Sequence, residues 1–365
     1  MMPQEKEKGL SLLSVLVSLV IASFVIVAAM SLIDSITQTN SQYNAINQLN
    51  RKAQRIGQVL QYYVNNAGFG LPNLSGCGIG GLIAYDGSSG TSLYPLSTWV
   101  LTSSEFNGTP TFPEDGLQFL KGSSVNGGTY TTQISRLSSL SSSTLFLTSD
   151  ANIQDNDIFA VELPGTACFL AQVTNIQSQP NKVTNSSRQS SLNSSTDYEP
   201  LAQYLSSIGG PSVSASQFTN SYFIDMGSGA ELTQIFPYQQ SNGSIDLMID
   251  KGVSIPSPNA VIGAPHVLAT NVLGFQVQVG VGTGEHITQW ESASQWQNTS
   301  LPPPILAVRI GFILASSRAS ANIQTPSTVQ LMGSTYNVPS NFQGHLVVPY
   351  TFTYTVENNL WQSTS

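Results

Sequence analysis

Gly9-Leu-Ser-Leu-Leu-Ser-Val-Leu-Val-Ser-Leu-Val-Ile-Ala-Ser-Phe-Val-Ile-Val-Ala-Ala-Met-Ser-Leu-Ile33 is the stretch on which this chain turns. From Leu10 to Ile33 it holds no charge, no proline and no glycine. As a helix it rises roughly 36 Å, enough to cross a bilayer's hydrocarbon core. Five serines interrupt the apolar run (Ser11, Ser14, Ser18, Ser23, Ser31), but a helical serine can bond a carbonyl one turn back and so mask its hydroxyl. Beyond Asp34 the pattern becomes amphipathic. Ile36, Tyr43, Ile46, Leu49, Ala53, Ile56, Leu60 and Tyr63 recur at steps of three, four or seven, while Gln42, Asn44, Asn47, Gln48, Arg51, Lys52 and Arg55 occupy the other faces. The reading is one continuous helix: a membrane segment over 10–33 and an amphipathic continuation over 34–67. Gly68 suits a left-handed C-terminal cap and Pro72 forbids a restart.

The remainder, 68–365, changes period. Short apolar runs of period two, or none, alternate with Gly, Pro, Asn and Ser. Candidate strands are 116–121, 129–137, 144–148, 157–163, 167–173, 221–225, 233–238, 244–250, 272–279, 305–314 and 345–356. The expected fold class is α+β: a long N-terminal helix followed by a β-rich extracytoplasmic domain, with a Ser/Asn-rich exposed loop over 175–196 that can bury little. No 20–50-residue period repeats, which argues against a solenoid.

Charge is scarce. Asp, Glu, Lys and Arg make up 9% of the chain, against roughly 25% in an average soluble domain. The net charge is −8, and without a basic run nucleic acid is not expected as a main ligand. Such a surface is compatible with an acidic medium, where carboxylate pairs would protonate. The two cysteines, Cys77 and Cys168, stand at no metal-ligand spacing. Either they are two buried thiols or, in an oxidising compartment, they pair and close a loop worth roughly 4 to 5 kcal/mol on the chain-entropy model.

Catalytic patterns are lacking. His266, His286 and His345 are dispersed, with no His-Glu-x-x-His or Gly-x-Ser-x-Gly setting. Gly280-Val-Gly-Thr-Gly lacks the spacing of a dinucleotide loop. Asp150, Asn152, Asp155 and Asp157 gather hard oxygens, but the pattern is not an EF-hand and a polar turn before a strand accounts for it. No cofactor is expected, and no enzyme. Trp290 and Trp296 fall in a polar stretch, as contacts for a partner or as anchors of that loop.

The junction before the apolar run adds a sharper signal. Glu5-Lys-Glu-Lys8 alternates in sign, Gly9 follows, and the apolar helix begins at once. This resembles the leader of type IV prepilins. The resemblance implies cleavage by a prepilin peptidase between Gly9 and Leu10, and methylation of the new amine on Leu10. A plain signal anchor, or a secretory signal cut near Ala28-Ala29-Met30, is the alternative, though the leader carries no net positive charge.

Further along, Arg55-Ile-Gly-Gln-Val-Leu-Gln-Tyr-Tyr-Val-Asn-Asn-Ala-Gly-Phe-Gly70 followed by Cys77, Asp157-Ile-Phe-Ala-Val161 followed by Cys168-Phe-Leu-Ala-Gln-Val-Thr174, and the runs 272–280, 306–314 and 350–358 are similar, in order, to the PilW family of type IV minor pilins. A J-type pseudopilin of type II secretion, shorter and of related fold, is the alternative within this class. The resemblance implies a subunit held in the bacterial inner membrane by one pass, then drawn into a pilus or its tip complex through helix contacts with other minor and major pilins. One position departs: the glutamate usual at the fifth mature residue is replaced by Ser14. Ser14 cannot neutralise a neighbouring subunit's amine, which suggests either a tolerated loss or a leading place at the tip, where no subunit lies ahead. The rival reading is a membrane-anchored binding protein or adhesin that never polymerises.

Overall fold

The computed structural model describes residues 12–68, 82–85, 90–103, 107, 114–122, 130–163, 167–177, 181–186, 193–194, 198–207, 210, 212–241, 244–252, 265–283, 286–299, 303, 305–320 and 323–356. Helix α1 (Leu12–Asn66) runs unbroken for 55 residues, about 80 Å. Its hydroxyls fold back onto its own carbonyls: Ser18 bonds Ser14, Ser23 bonds Val20 at 2.7 Å, and Thr37 and Thr39 bond Ile33 and Ser35 at 2.8 Å. The polar atoms therefore do not interrupt the rod. It ends where Gly68 takes φ 77° and gives its amide to Leu120 at 2.8 Å, tying the helix end to the first sheet it meets.

Among the described residues three sheets and a hairpin follow. The nine-stranded sheet has the order β2-β1-β8-β7-β11-β5-β6-β10-β9, built from β1 (Leu82–Tyr85), β2 (Gly90–Leu93), β5 (Tyr130–Leu137), β6 (Thr144–Leu147), β7 (Ile158–Leu163), β8 (Ala167–Gln172), β9 (Asn175–Gln177), β10 (Lys182–Thr184) and β11 (Tyr222–Gly227). The middle sheet has the order β14-β13-β12-β4-β3, from β3 (Leu96–Val100), β4 (Asp115–Lys121), β12 (Glu231–Gln239), β13 (Ile245–Gly252) and β14 (His266–Ala269). The helix-bearing sheet has the order β16-β15-β17-β20, from β15 (Val272–Thr283), β16 (His286–Ser292), β17 (Ile305–Ala315) and β20 (Val347–Thr355). A hairpin of β18 (Thr328–Leu331) and β19 (Ser334–Asn337) is paired with none of these but packs on the helix-bearing sheet, Val329, Leu331 and Tyr336 against Leu273 and Ile313.

In the middle sheet β4 and β12 are direct neighbours, Gln118 opposite Gln234, although about a hundred residues separate them in the chain. Most of the nine-stranded sheet is thus one long excursion between two paired strands. Its outer face is covered by helix α2 (Glu199–Ser207), with Tyr198, Leu201, Leu205 and Phe218 buried against Phe159, Phe169 and Phe223. Its inner face meets the middle sheet through Leu82, Ile158, Ala160, Leu170 and Ile224 on one side and Leu120 and Leu232 on the other. The largest core joins the helix-bearing and middle sheets to the second half of α1.

The segment 175–196 departs from the expected exposed loop over its described residues. Lys182–Thr184 pairs with Thr144–Phe146 on one side and with Asn175–Gln177 on the other. Asn193 is buried and brackets Gln172, accepting its amide at 2.8 Å and donating to its carbonyl at 2.9 Å. Asparagine side chains here replace backbone partners, so polar composition did not mean exposure.

Candidate assembly surface

Helix α1 divides in two. Its second half is seated: Leu49, Ala53, Ile56, Leu60, Tyr63 and Val64 are buried, as is Ala67 just past its end. From Leu49 on, the stripe that the sequence shows at three- and four-residue steps is the face laid on the sheets, while its first members, Ile36, Tyr43 and Ile46, stay exposed. An aromatic row on the edge strand β20 grips it. Tyr350 Oη donates to Asn50 Oδ1 and Tyr354 Oη to the Gly57 carbonyl, each at 2.8 Å. Burial holds the Tyr354 phenol up at about 12. Between them Phe352 lies so close that a Cβ on Gly57 would stand 2.9 Å from its ring. That approach explains the one glycine between Leu10 and Ala67. Lys52 gives its amine to the Thr270 carbonyl, and burial, opposed by Asp246, holds its pKa below the usual range.

The first half has no such partner. Residues 14–44 are exposed throughout, including Leu19 at 67%, Phe24 at 72% and Val27 at 66%. Ile36 and Tyr43 carry the apolar surface on to Ile46. Asp34 is the single charged residue from Leu10 to Asn50. The window of highest hydropathy averages 2.7 and none of it is buried, so this helix is long and apolar enough to cross a membrane. A contiguous apolar surface of this extent in water marks a site of association with lipid or protein.

Of the residues marked out by the sequence, Gly9, Leu10 and Cys77 lie outside the described residues. Ser14 sits on the free half, exposed, its carbonyl accepting the Ser18 hydroxyl. Cys168 is buried on β8 and disulfide-bonded. The two tryptophans separate. Trp296, on the short helix α3 (Ala293–Gln297), is 4% exposed, meets Tyr94 edge-on and gives its indole N–H to Pro303 at 3.1 Å. It anchors its loop and is not a partner contact, as a tryptophan with a satisfied N–H inside a core should be. Trp290 lies instead on β16, a strand where a polar loop was expected, half-exposed with the Arg309 guanidinium 4.2 Å above its ring.

The Asp150 turn leads into β7. Asn152 and Asn156 take φ 70° and 73°, and Asp157 accepts the Gln154 amide at 2.7 Å. Among the described residues no three of His, Cys, Asp and Glu are set to hold a metal ion. His266 and His286 are exposed on separate strands, and His345 meets the Ser316 carbonyl at 2.6 Å.

Sequence reasoning missed the buried acids. Glu114 and Asp115 are buried where β4 begins, and Asp157 and Asp225 are buried as a pair in the nine-stranded sheet. Burial pushes Asp115 and Asp225 up to about 7, and Glu114 well above the usual carboxyl range. Acids at the mouth of a strand, in a chain with so few bases, were the available signal.

No family model matches the chain, and no curated protein sequence matches it. Among solved structures the chain is similar to a type IV-like pilin from Thermus thermophilus, at 18% identity and a TM-score of 0.19, over 35% of this chain and 66% of that one. The match thus spans just under two thirds of that pilin's length. At that TM-score the architecture rests on its own geometry: a long apolar N-terminal helix, half of it free, in front of a β-rich body.

Proposed function

We propose that this chain is a structural subunit, not an enzyme: a minor pilin of the PilW type in a type IV pilus. It is cut by prepilin peptidase after Gly9, methylated on Leu10, held in the bacterial inner membrane, and then transferred to the pilus or its tip complex. One observation carries the reading. A continuous helix keeps an apolar half, with Asp34 its single charge, exposed over residues 14–44 while its other half is fixed to a sheet-rich body. A rod of that form can exchange lipid for the equivalent rods of other pilins without unfolding, because its backbone hydrogen bonds are internal throughout.

A tethered surface binding protein uses the same helix as an anchor only. The half-exposed Trp290 beneath Arg309 is the observation that favours it. A J-type pseudopilin is the variant of the first reading with a secretion machine in place of a pilus. Mass spectrometry of the mature N-terminus separates the two classes. A methylated Leu10 is expected for the pilin; an intact leader on protein from cells with working peptidase overturns it and leaves the tether.

A further inference from the structure

Glu114 and Asp115 stand where β4 begins in the middle sheet, and both reach across to the helix-bearing sheet. Glu114 Oε2 accepts the amide of Phe275 and Asp115 Oδ2 that of Val277, each at 2.7 Å. These two amides belong to β15 beyond the point where its pairing with β16 stops, since that ladder runs from Gln278 to Thr283. Two side chains therefore do the work of a missing strand, and they bind the two sheets together at the core that seats α1.

The acids are 2% and 4% exposed. They are chain neighbours, Asp115 opposes the ionisation of Glu114, and the Tyr336 phenol on β19 lies within the electrostatic reach of both. Among the described residues no Lys, Arg or His lies against either carboxyl. A buried carboxylate with no counter-charge is costly, and a second beside it more so. The β15 amides offset only part of that cost.

We propose that Glu114 and Asp115 form a proton-held latch between the middle sheet and the sheet that seats α1, closed while the pair is protonated and loosened when both carboxyls ionise. The sign follows from linkage. A carboxyl that holds its proton more tightly folded than unfolded contributes stability that is full below its ordinary range, near 4, and is lost as pH rises through its folded value. For Asp115 that value is about 7. The latch tightens in acid and slackens through neutrality, whether or not the rod enters a filament.

Hydrogen exchange on the full chain in detergent tests this, read at Phe275 and Val277 and corrected for intrinsic rates. In the wild type, exchange at pH 8 is expected to exceed that at pH 5 by about tenfold or more, one pKa unit being tenfold in an equilibrium. In Glu114→Gln with Asp115→Asn, which keep the accepting oxygens but cannot ionise, the dependence is expected to flatten. Equal pH profiles in the two proteins, or greater protection at pH 8 in the wild type, overturn the latch. Should the double variant fail to fold, the infrared difference between wild type and Asp115→Asn at pH 6 decides. A protonated-carboxyl band lost in the variant supports the latch; no such band in the wild type overturns it.

Discussion

The two halves of α1 share one backbone, and the first is the more apolar of the two, yet only the second is buried by its own chain. Leu60 and Val64 are fully buried, whereas Leu19 and Val27 are about two-thirds exposed. The difference lies in what surrounds the apolar positions. From Leu49 onward polar residues confine them to one stripe, and a stripe matches a sheet face. From Leu12 to Ile33 they encircle the helix, which no single sheet can cover. An all-round apolar helix calls for an apolar surround, whether lipid or similar helices.

The comparison predicts unequal responses to equal substitutions. Leu60→Ala should lower the stability of the body by about 3 kcal/mol, through lost burial and the cavity left behind. Leu19→Ala should change it by less than about 0.5 kcal/mol. Denaturant titration of the full chain in detergent, followed by tryptophan fluorescence, reads both. A comparable loss from Leu19→Ala would mean that the free half packs on the body after all.

A narrower test addresses the seat itself. Gly57 is a poor helix residue kept where Phe352 approaches, so propensity and packing oppose each other there. Valine at 57 gains helix propensity but must displace a ring that also stacks on Phe312 and Tyr354. Gly57→Val should therefore destabilise by about 2 kcal/mol. Gly57→Val combined with Phe352→Ala should recover part of the loss, a double-mutant cycle that reads the contact directly. Stabilisation by Gly57→Val alone would place Phe352 off the helix.

Much of this was legible in the sequence because periodicity is local. The apolar run, the stripe from Ile36 to Tyr63 and the Gly68 cap give the helix with its end, and alternation locates eleven strands of the body. What stayed hidden depends on distant partners. Strands such as Leu96–Val100 and His286–Ser292 have no clear period of their own and form because β4 and β15 offer edges. Trp290 and Trp296 stand six residues apart in one polar stretch, yet one faces half outward and the other enters the core. The 175–196 segment looked too polar to bury, and Asn193 shows that side-chain amides can take the part of a strand. Nothing in the local pattern around Glu114 told that β15 would lack partners opposite it.

Acid response sharpens the same contrast, because the free half holds one carboxyl, Asp34, and the body holds the buried ones. Asp225 accepts the Gly227 amide at 2.8 Å and is hydrogen-bonded to Asp157, an arrangement that needs a proton between the two acids. Burial first, then Asp157, raises it to about 7. Its stabilising contribution is thus complete in acid and lost as pH climbs toward 7 and above. Asp225→Asn should remove on the order of 1 kcal/mol of the extra stability that the wild type shows at pH 5 over pH 8, allowing for partial solvent access. Asp34→Asn should leave that difference unchanged. Thermal midpoints at the two pH values check both, and a wild type more stable at pH 8 would refute the sign.

The smallest effect on the fold belongs to the residue with most to say about assembly. Ser14 is exposed and touches nothing in the body, so Ser14→Glu should alter body stability by less than about 0.5 kcal/mol. On the pilin reading its consequence appears only among other subunits. A carboxylate at this depth of an apolar bundle is tolerated when an amine meets it and costs several kcal/mol when none does. If the chain leads the filament, with no subunit ahead, the added glutamate should move it away from the tip or reduce its incorporation, as seen by labelling the body in sheared filaments. Unchanged incorporation at an unchanged position would show that Ser14 marks only a tolerated loss.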